Sequence, residues 1–332
     1  MSANTATPPP LESIRDLPAK SQALISAGYE PGAGPEAIGN AAEQLASWGL
    51  IEEASALLTR TGVADLQVSP IFRARRVIGF LKNSKLVGEL SALVSSGVTP
   101  NQILQGRHDS LVYERRGATK LLIVLPGAGD NFFISLNVLW AYLRRLPLST
   151  VFLRDSEDLL FLNGVKSLGG SYDATIGRLR RLREELGQPE LYVMGSSAGG
   201  FGGLVYALNL GARAFLGLSI HTDLSPESPL LRMKYYIRRE LFERVPRFMI
   251  DTYPLVAAQK GAMRIKLFHA EAQNVDRLQA MHLAGLPNVD VEAVPGKIHD
   301  VASLLLAQGR FMPVLQRFLE LPEGPNDRGP AD

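Results

Sequence analysis

The sequence predicts an α/β fold in which a mostly parallel sheet is flanked by helices and follows a helical N-terminal region. Between residues 107 and 321, short apolar runs alternate with segments of helical length. This alternation is typical of parallel strands joined by crossover helices. The 332 residues are 46% hydrophobic and 20% charged, which is enough to bury a sizeable core.

Six apolar runs are the predicted strands, at residues 121–125, 150–153, 191–194, 214–220, 265–268 and 289–294. The predicted helices between them lie at residues 135–143, 174–186, 200–208 and 277–283. Ahead of the first of these strands, the turn Arg116-Gly117-Ala118 separates residues 111–115 from residues 120–125. Two strand-like runs around such a short turn predict a β-hairpin.

The residues before the alternating region predict helices. In residues 35–48, Ile38, Ala42 and Leu45 recur at spacings of three and four, as on one face of an amphipathic helix. Further helices are predicted at residues 50–61, 77–94 and 100–104. The helix pairs resemble a single tetratricopeptide-like unit, but no second copy is evident. We therefore interpret residues 21–106 as a helical extension that packs on the main domain.

Three further segments interrupt this organisation. Residues 1–20 are rich in Pro, Ser and Ala and are expected to form a disordered tail. Residues 221–263 are long and Arg-rich, which indicates a lid-like insertion within the domain at residues 107–321. Residues 322–332 are rich in Pro, Gly and acidic residues, so a second disordered tail is expected.

Composition excludes several classes of function. The net charge of +2 gives no reason to expect a nucleic-acid partner. The absence of cysteine excludes disulfides, thiolate metal sites and a cysteine nucleophile. The first ten residues lack the basic and apolar regions of a signal peptide, and the apolar runs fall short of the roughly 20 residues of a membrane span. We expect a cytoplasmic protein without a membrane span.

The pentapeptide Gly195-Ser196-Ser197-Ala198-Gly199 is the strongest catalytic signal. With 31 glycines in the chain, such a Gly-x-Ser-x-Gly string is expected by chance about 0.2 times. An apolar strand precedes it and a helix is predicted after it, which is the context that a nucleophile elbow needs. The competing interpretation is a phosphate-binding turn, but this turn lacks the lysine of a P-loop.

The pentapeptide, the loop Leu125-Pro126-Gly127-Ala128-Gly129 and the late His299 resemble the α/β-hydrolase superfamily over residues 121–319. The resemblance implies the chain order nucleophile, acid, base. Of the five histidines, that order excludes His108. It favours His299, which lies beyond the last predicted strand, as the base for Ser197. His221 follows a strand end, where contact with substrate is possible, and His269 and His282 are expected to be structural.

The third member of the site is less defined by the sequence. The position where the resemblance places the acid is held by Gln273. Asp276 is the first candidate, and Glu271 and Asp223 remain alternatives. Asp276 has a competing structural role, because it precedes a helix predicted to begin near Arg277 and is a suitable cap for it.

The resemblance also implies an oxyanion hole and an activity. The backbone N–H groups of Ala198 and Ala128 are expected to hold the oxyanion. We therefore expect a serine hydrolase that cleaves an ester, with thioesters and amides left open, and that needs neither a metal nor an organic cofactor. The expected partner is a small-molecule acyl substrate, anionic and carbohydrate-linked ones included. The alternatives are an acyltransferase, and a non-catalytic binding or scaffold protein whose N-terminal helices bind a protein partner.

Overall fold

The domain that follows the N-terminal helices is built on one seven-stranded sheet with the order β1-β3-β2-β4-β5-β6-β7. The computed structural model describes residues 14, 17, 19–48, 50–64, 66, 69–82, 100, 109–127, 132, 134–225, 228, 250–259 and 263–322. The strands are β1 Ser110–Tyr113, β2 Lys120–Leu125, β3 Ser149–Leu153, β4 Glu190–Ser196, β5 Ala214–Leu218, β6 Arg264–Ala270 and β7 Val289–Val294. The helices are α1 Ala19–Tyr29, α2 Pro35–Ser47, α3 Ile51–Arg60, α4 Ser69–Lys82, α5 Leu136–Leu143, α6 Tyr172–Glu185, α7 Ser197–Leu210, α8 Tyr253–Ala258, α9 Asn274–Met281, α10 Val301–Ala307 and α11 Phe311–Phe318.

The sheet confirms the predicted fold class. All neighbouring strands from β3 to β7 in the sheet order run parallel, and only the edge strand β1 is antiparallel to its neighbour. The strands β3 and β5, neither of which is at an edge of the sheet, are buried along their whole length, as expected when helices cover both faces. Parallel strands end at the same edge of a sheet, so the segments that follow β2, β4, β5, β6 and β7 converge there.

The predicted hairpin between β1 and β2 is wrong. Residues 116–118 do turn, with the Ala118 N–H donating to the Arg115 carbonyl over 3.0 Å, but β1 pairs with β3 instead. In that register Ser110 lies opposite Leu153 and Tyr113 opposite Thr150. A local turn does not determine which strand is adjacent. Here β1 covers the edge of β3, which would otherwise expose unpaired backbone groups.

The N-terminal helices share a hydrophobic core with the sheet domain. Ile71 and Val77 of α4 belong to the same buried cluster as Val301 and Leu305 of α10. Ile14 and Leu17 are buried as well, and Ala19 and Lys20 begin α1, so the disordered tail expected at residues 1–20 is wrong at these four positions. The helix α1 was not indicated by the sequence pattern. The rest of residues 1–18, residues 83–94 of one predicted helix and residues 101–104 of another lie outside the described residues.

The lid-like insertion is described only where it leaves and rejoins the domain. The Leu224 N–H donates to the Ile250 carbonyl over 2.7 Å, and the Thr252 N–H donates to the Thr222 carbonyl over 3.0 Å. The two ends therefore lie side by side directly after β5. Most of the insertion lies outside the described residues, as do residues 323–332 of the C-terminal tail expected at residues 322–332. Among the helices that are described, none has the length and apolar character needed to cross a membrane.

Candidate active site

Ser197 lies at a strained turn between β4 and α7, which we call the serine turn (residues 195–199). Its backbone φ of 47° is in the left-handed region that residues other than glycine rarely adopt. A Cβ on Gly199 would lie 2.0 Å from the Pro126 carbonyl oxygen, and one on Gly195 would lie 2.6 Å from the Gly200 Cα. The small residues of the pentapeptide are therefore required by close backbone approach, as expected for a strained serine held by its surroundings.

Ser197, His299 and Asp276 form a continuous hydrogen-bonded chain. The His299 Nε2 lies 2.9 Å from the Ser197 Oγ. The His299 Nδ1 lies 2.8 Å from each carboxylate oxygen of Asp276. With its proton on Nδ1, the imidazole donates to Asp276 and accepts from the Ser197 hydroxyl. This is the geometry in which a base removes a proton from a serine.

Asp276 is the third residue of α9, and its side chain is only 5% exposed. The helix begins at Asn274 with Gln273 as its N-cap, so the predicted start near Arg277 is three residues too late. Asp276 is therefore inside the first turn and does not cap the helix. A carboxylate is favoured there by the positive end of the helix dipole, and it points at His299 from a protected position.

The segments that carry Asp276 and His299 are also joined through their backbones. The Glu271 N–H donates to the Val294 carbonyl over 2.9 Å, and the Ala272 N–H donates to the Gly296 carbonyl over 3.0 Å. These bonds continue the pairing of β6 with β7 beyond the sheet. They fix the distance between the loop before α9 and the loop that ends at His299.

The other candidate acids lie elsewhere. Glu271 is exposed to solvent, and the Asp223 carboxylate accepts a hydrogen bond from the Ser225 N–H over 2.8 Å. The substitution of the expected acid by Gln273 therefore does not leave the imidazole without a carboxylate, because Asp276 reaches it from one turn further along.

His221, on the segment after β5, is the second histidine near this chain of residues. Its pKa is lowered to about 4, chiefly by burial and to a lesser degree by the neighbouring His299, while Asp276 opposes the shift. His221 is consequently a neutral ring at physiological pH. His269 is buried with its Nδ1 3.0 Å from the Ala270 carbonyl oxygen, and the His282 Nε2 lies 2.8 Å from the Asp251 Oδ1. His108 lies outside the described residues.

Gln279 is a residue of this region that the sequence did not single out. Its side-chain oxygen accepts from the Thr222 N–H over 2.6 Å and from the Asp223 N–H over 2.9 Å. Its amide nitrogen donates to the Asp223 carbonyl over 3.1 Å. Gln279 thus fastens the base of the insertion to α9, the helix that carries Asp276. Only its spacing of three residues from Asp276, on the same buried face, hints at this role in the sequence.

The loop after β2 lies directly against the serine turn. The Gly127 N–H donates to the Ser196 Oγ over 3.1 Å, and a Cβ on Gly127 would lie 3.1 Å from the Ser197 Cβ. Ala198 is the second residue of α7, where helical N–H groups have no partner within the helix. Ala128, the other predicted oxyanion donor, lies outside the described residues.

Within the described part of the chain, no group of three or more His, Cys, Asp or Glu side chains is arranged to hold a metal ion. A crevice of about 350 Å³ is lined by Glu190, Arg213 and neighbouring residues. Because Glu190 begins β4 and Ser197 follows its end, this crevice is at the opposite edge of the sheet and cannot hold a substrate against Ser197.

No protein-family model and no curated protein matches the chain. Solved structures do resemble it. MenH from S. aureus has a TM-score of 0.44 and 13% identity, covering 64% of this chain and 98% of that one. Carboxyl esterase 2 from the fungus Tuber melanosporum has a TM-score of 0.45 and 12% identity, covering 64% and 80%. A carboxylesterase structure from Nitrososphaera gargenis has a TM-score of 0.43 and 14% identity, covering 64% and 93%.

Proposed function

We propose that this chain is a serine hydrolase of the α/β-hydrolase fold that cleaves an ester through an acyl-enzyme on Ser197. The observation that carries the proposal is the unbroken chain from Ser197 through His299 to Asp276, with distances of 2.9 Å and 2.8 Å. A serine hydroxyl is a weak nucleophile at neutral pH unless a base is within hydrogen-bond reach. Here the base is in place, and its second nitrogen is held by a carboxylate.

In the first half of the proposed reaction, the Ser197 Oγ attacks the ester carbonyl carbon while its proton passes to the His299 Nε2. The resulting imidazolium is stabilised by Asp276, which also keeps the ring in the tautomer and orientation needed. His299 then returns the proton to the leaving alkoxide as the C–O bond breaks. The products of this half are the free alcohol and the acyl group esterified to Ser197.

The tetrahedral intermediate carries a negative charge that needs hydrogen-bond donors. We assign this role to the N–H of Ala198, at the amino-terminal end of α7, and to the N–H of Ala128. The approach of Gly127 to within contact of Ser197 supports the second assignment, because it brings the loop that continues into Ala128 against the nucleophile. Loss of one such donor lowers kcat by about 10²- to 10³-fold in serine hydrolases.

In the second half, water donates a proton to His299 and attacks the acyl-enzyme, and Ser197 leaves with the proton returned from the imidazole. The same steps transfer the acyl group to another hydroxyl if water is excluded. One observation supports acyl transfer as a second candidate function. The base of the insertion is fastened by Gln279 to the helix that carries Asp276, so the inserted residues start beside the acyl-enzyme.

The surroundings of the serine turn favour an apolar acyl group. Ala198 packs against a buried apolar cluster that includes Leu160, Phe201, Leu224 and Val275. The cluster combines the loop after β3, the helix α7, the base of the insertion and the start of α9. The residues on this side of the serine turn are therefore hydrocarbon, which supports an apolar acyl group over a charged one.

A fluorophosphonate probe tests the proposal, because it reacts with activated serines and mimics the tetrahedral intermediate. Wild-type protein is expected to gain one label on the peptide containing Ser197, and Ser197→Ala is expected to gain none. Ser167→Ala serves as a matched control, since Ser167 hydrogen-bonds Ser110 on β1. Absence of labelling in folded wild-type protein would overturn the hydrolase and transferase proposals together and favour a non-catalytic binding protein.

A further inference from the structure

Arg73, on α4 of the N-terminal helical region, contacts the residue that follows His299. Its guanidinium Nη1 lies 3.1 Å from the Asp300 Oδ2, and its Nε lies 2.7 Å from the Glu43 Oε2. The Asp300 side chain is 8% exposed and that of Arg73 is 23% exposed. The pair is therefore largely shielded from solvent, unlike the exposed ion pairs that contribute little. It joins two residues that are 227 positions apart in the chain.

Contacts with α2 fix the position of Arg73. A Cβ on Gly39 would lie 2.6 Å from the Ile71 backbone nitrogen, so α2 meets the beginning of α4 at backbone contact. Glu43 follows Gly39 by four residues and is on the same face of α2. There it binds the Arg73 Nε. The guanidinium is thus held between two carboxylates, one from each side of the boundary between the helical region and the sheet domain.

Asp300 does not use its carboxylate for its own helix. It is the N-cap residue of α10, a position at which aspartate usually accepts a hydrogen bond from the helix backbone, yet its side chain makes no capping bond. The Ser303 hydroxyl donates to the Asp300 carbonyl over 2.8 Å instead. The carboxylate points across the boundary to Arg73. This aligns the start of α10 with α4, and these helices also pack through buried apolar residues.

We propose that Arg73 is a positioning residue for the base of the active site, and that the N-terminal helical region supports the His299 segment. The inference rests on the proposed function for its catalytic consequence. The chain of contacts runs from Glu43 to Arg73, then to Asp300, and through one peptide bond to His299, whose Nε2 lies 2.9 Å from the Ser197 Oγ. Without Arg73, the start of α10 loses its partner on α4, and the Asp300 carboxylate, one residue from His299, loses its cation.

The charges around His299 predict that changes at Arg73 and Asp300 alter the protonation of its imidazole. A general loss of stability would not have this effect. Within the part of the chain that the structure describes, the titratable or charged groups around the imidazole and its segment are Asp276 on α9, His221 after β5, the exposed Lys297, and Asp300 with Arg73 and Glu43 behind it. An unpaired Asp300 favours the protonated imidazole, because opposite charges attract. A neutral residue at position 300 leaves the Arg73 cation without the Asp300 anion, and this disfavours the protonated imidazole. The two changes therefore act in opposite directions.

The test compares three variants of the full-length protein. Arg73→Met removes the cation and leaves Asp300 unpaired. Asp300→Asn removes the anion with almost no change of shape and keeps a residue suited to a helix N-cap. Arg76→Met is the matched control on the same helix, since Arg76 stacks over the Phe72 ring at 4.2 Å. Two quantities are measured on folded protein, namely the rate constant of fluorophosphonate labelling against pH, and the titration of the His299 imidazole by NMR, assigned with His299→Gln.

We expect Arg73→Met to label about ten-fold more slowly than wild type. Its His299 titration and the acidic limb of its labelling profile are expected to move to higher pH. Asp300→Asn is expected to move both to lower pH, and Arg76→Met to leave both within experimental error of wild type. Shifts in the same direction, or no shift in either variant, would overturn the inference.

If wild-type protein does not label, the proposed function fails, and the NMR titration still decides whether Arg73 acts on His299. If Arg73→Met does not fold, Asp300→Asn alone decides it.

Discussion

His299 lies with its Nδ1 2.8 Å from both carboxylate oxygens of Asp276, a residue inside the first turn of α9. The acid thus belongs to a helix whose buried face also carries Gln279, which binds the base of the insertion after β5. One short helix connects the imidazole, the insertion and the sheet. The orientation of the imidazole is consequently coupled to the base of the insertion.

Asp276→Asn is predicted to lower kcat by about 10³- to 10⁴-fold, because the amide cannot stabilise the imidazolium and favours the wrong tautomer. Glu271→Gln and Asp223→Asn are the comparison variants, since the first residue is exposed and the second binds the Ser225 N–H. Steady-state kinetics with an aryl ester measures the effect. A similar loss of kcat in either comparison variant would show that Asp276 is not the acid.

Gly199→Ala is predicted to destabilise the protein by more than about 1–3 kcal/mol, the usual range for overpacking. The added Cβ would lie 2.0 Å from the Pro126 carbonyl oxygen and 2.5 Å from that of Leu125, so the serine turn must move. Gly285→Ala is the control, because a Cβ there meets no atom within 4 Å. Equal unfolding free energies for the two variants in urea would contradict the packing described for the turn.

His221→Gln is predicted to make stability less dependent on pH between about 6.5 and 4. The pKa of His221 falls from 6.5 to about 4 on folding, so between these values the unfolded chain binds a proton that the folded protein does not. The stability that wild type gains from a neutral His221 is therefore fully present above pH 6.5. It is lost as the pH falls towards 4, and the loss is about 3 kcal/mol at most. Urea unfolding of both proteins at pH 7 and pH 4.5 measures the difference, in which contributions of other groups cancel. Identical pH dependence would contradict a depressed pKa at His221.

Gln279→Leu is predicted to lower both stability and kcat/KM. It leaves the buried N–H groups of Thr222 and Asp223 without their acceptor, and an unsatisfied buried donor costs about 1–3 kcal/mol. Arg277→Gln, an exposed change on the same helix, is the control. Thermal unfolding reports the first effect and ester hydrolysis the second. A Gln279→Leu protein as stable and active as the control would show that the bonds to the insertion are unimportant.

Local sequence pattern was sufficient to predict much of this architecture. The apolar runs identified the six strands from β2 to β7, and the combination of strand, small residues and helix singled out Ser197 as the candidate nucleophile. His299 was the candidate base because of the chain order that the resemblance to the α/β-hydrolase superfamily implies. These features depend on residues that are close in the chain, where periodicity and turn chemistry act.

Other features depend on contacts between distant residues and were not predictable in this way. The pairing of β1 with β3 joins two strands that β2 separates in the chain, while the adjacent turn suggested a hairpin. Asp276 was one of three candidate acids because the sequence does not show how α9 is oriented. The contact of Arg73 with Asp300 joins residues 227 positions apart, and no local pattern indicates it.

The central claim is that Ser197 carries the acyl group during turnover, and trapping the acyl-enzyme tests it most directly. Wild-type protein is mixed with a short-chain aryl ester, quenched with acid within the first turnover and analysed by intact and peptide mass. We expect one acyl adduct on the peptide that contains Ser197, formed with a burst of the aryl alcohol, and neither adduct nor burst in Ser197→Ala. Ester turnover that continues in Ser197→Ala, or an adduct on a different residue, would contradict it.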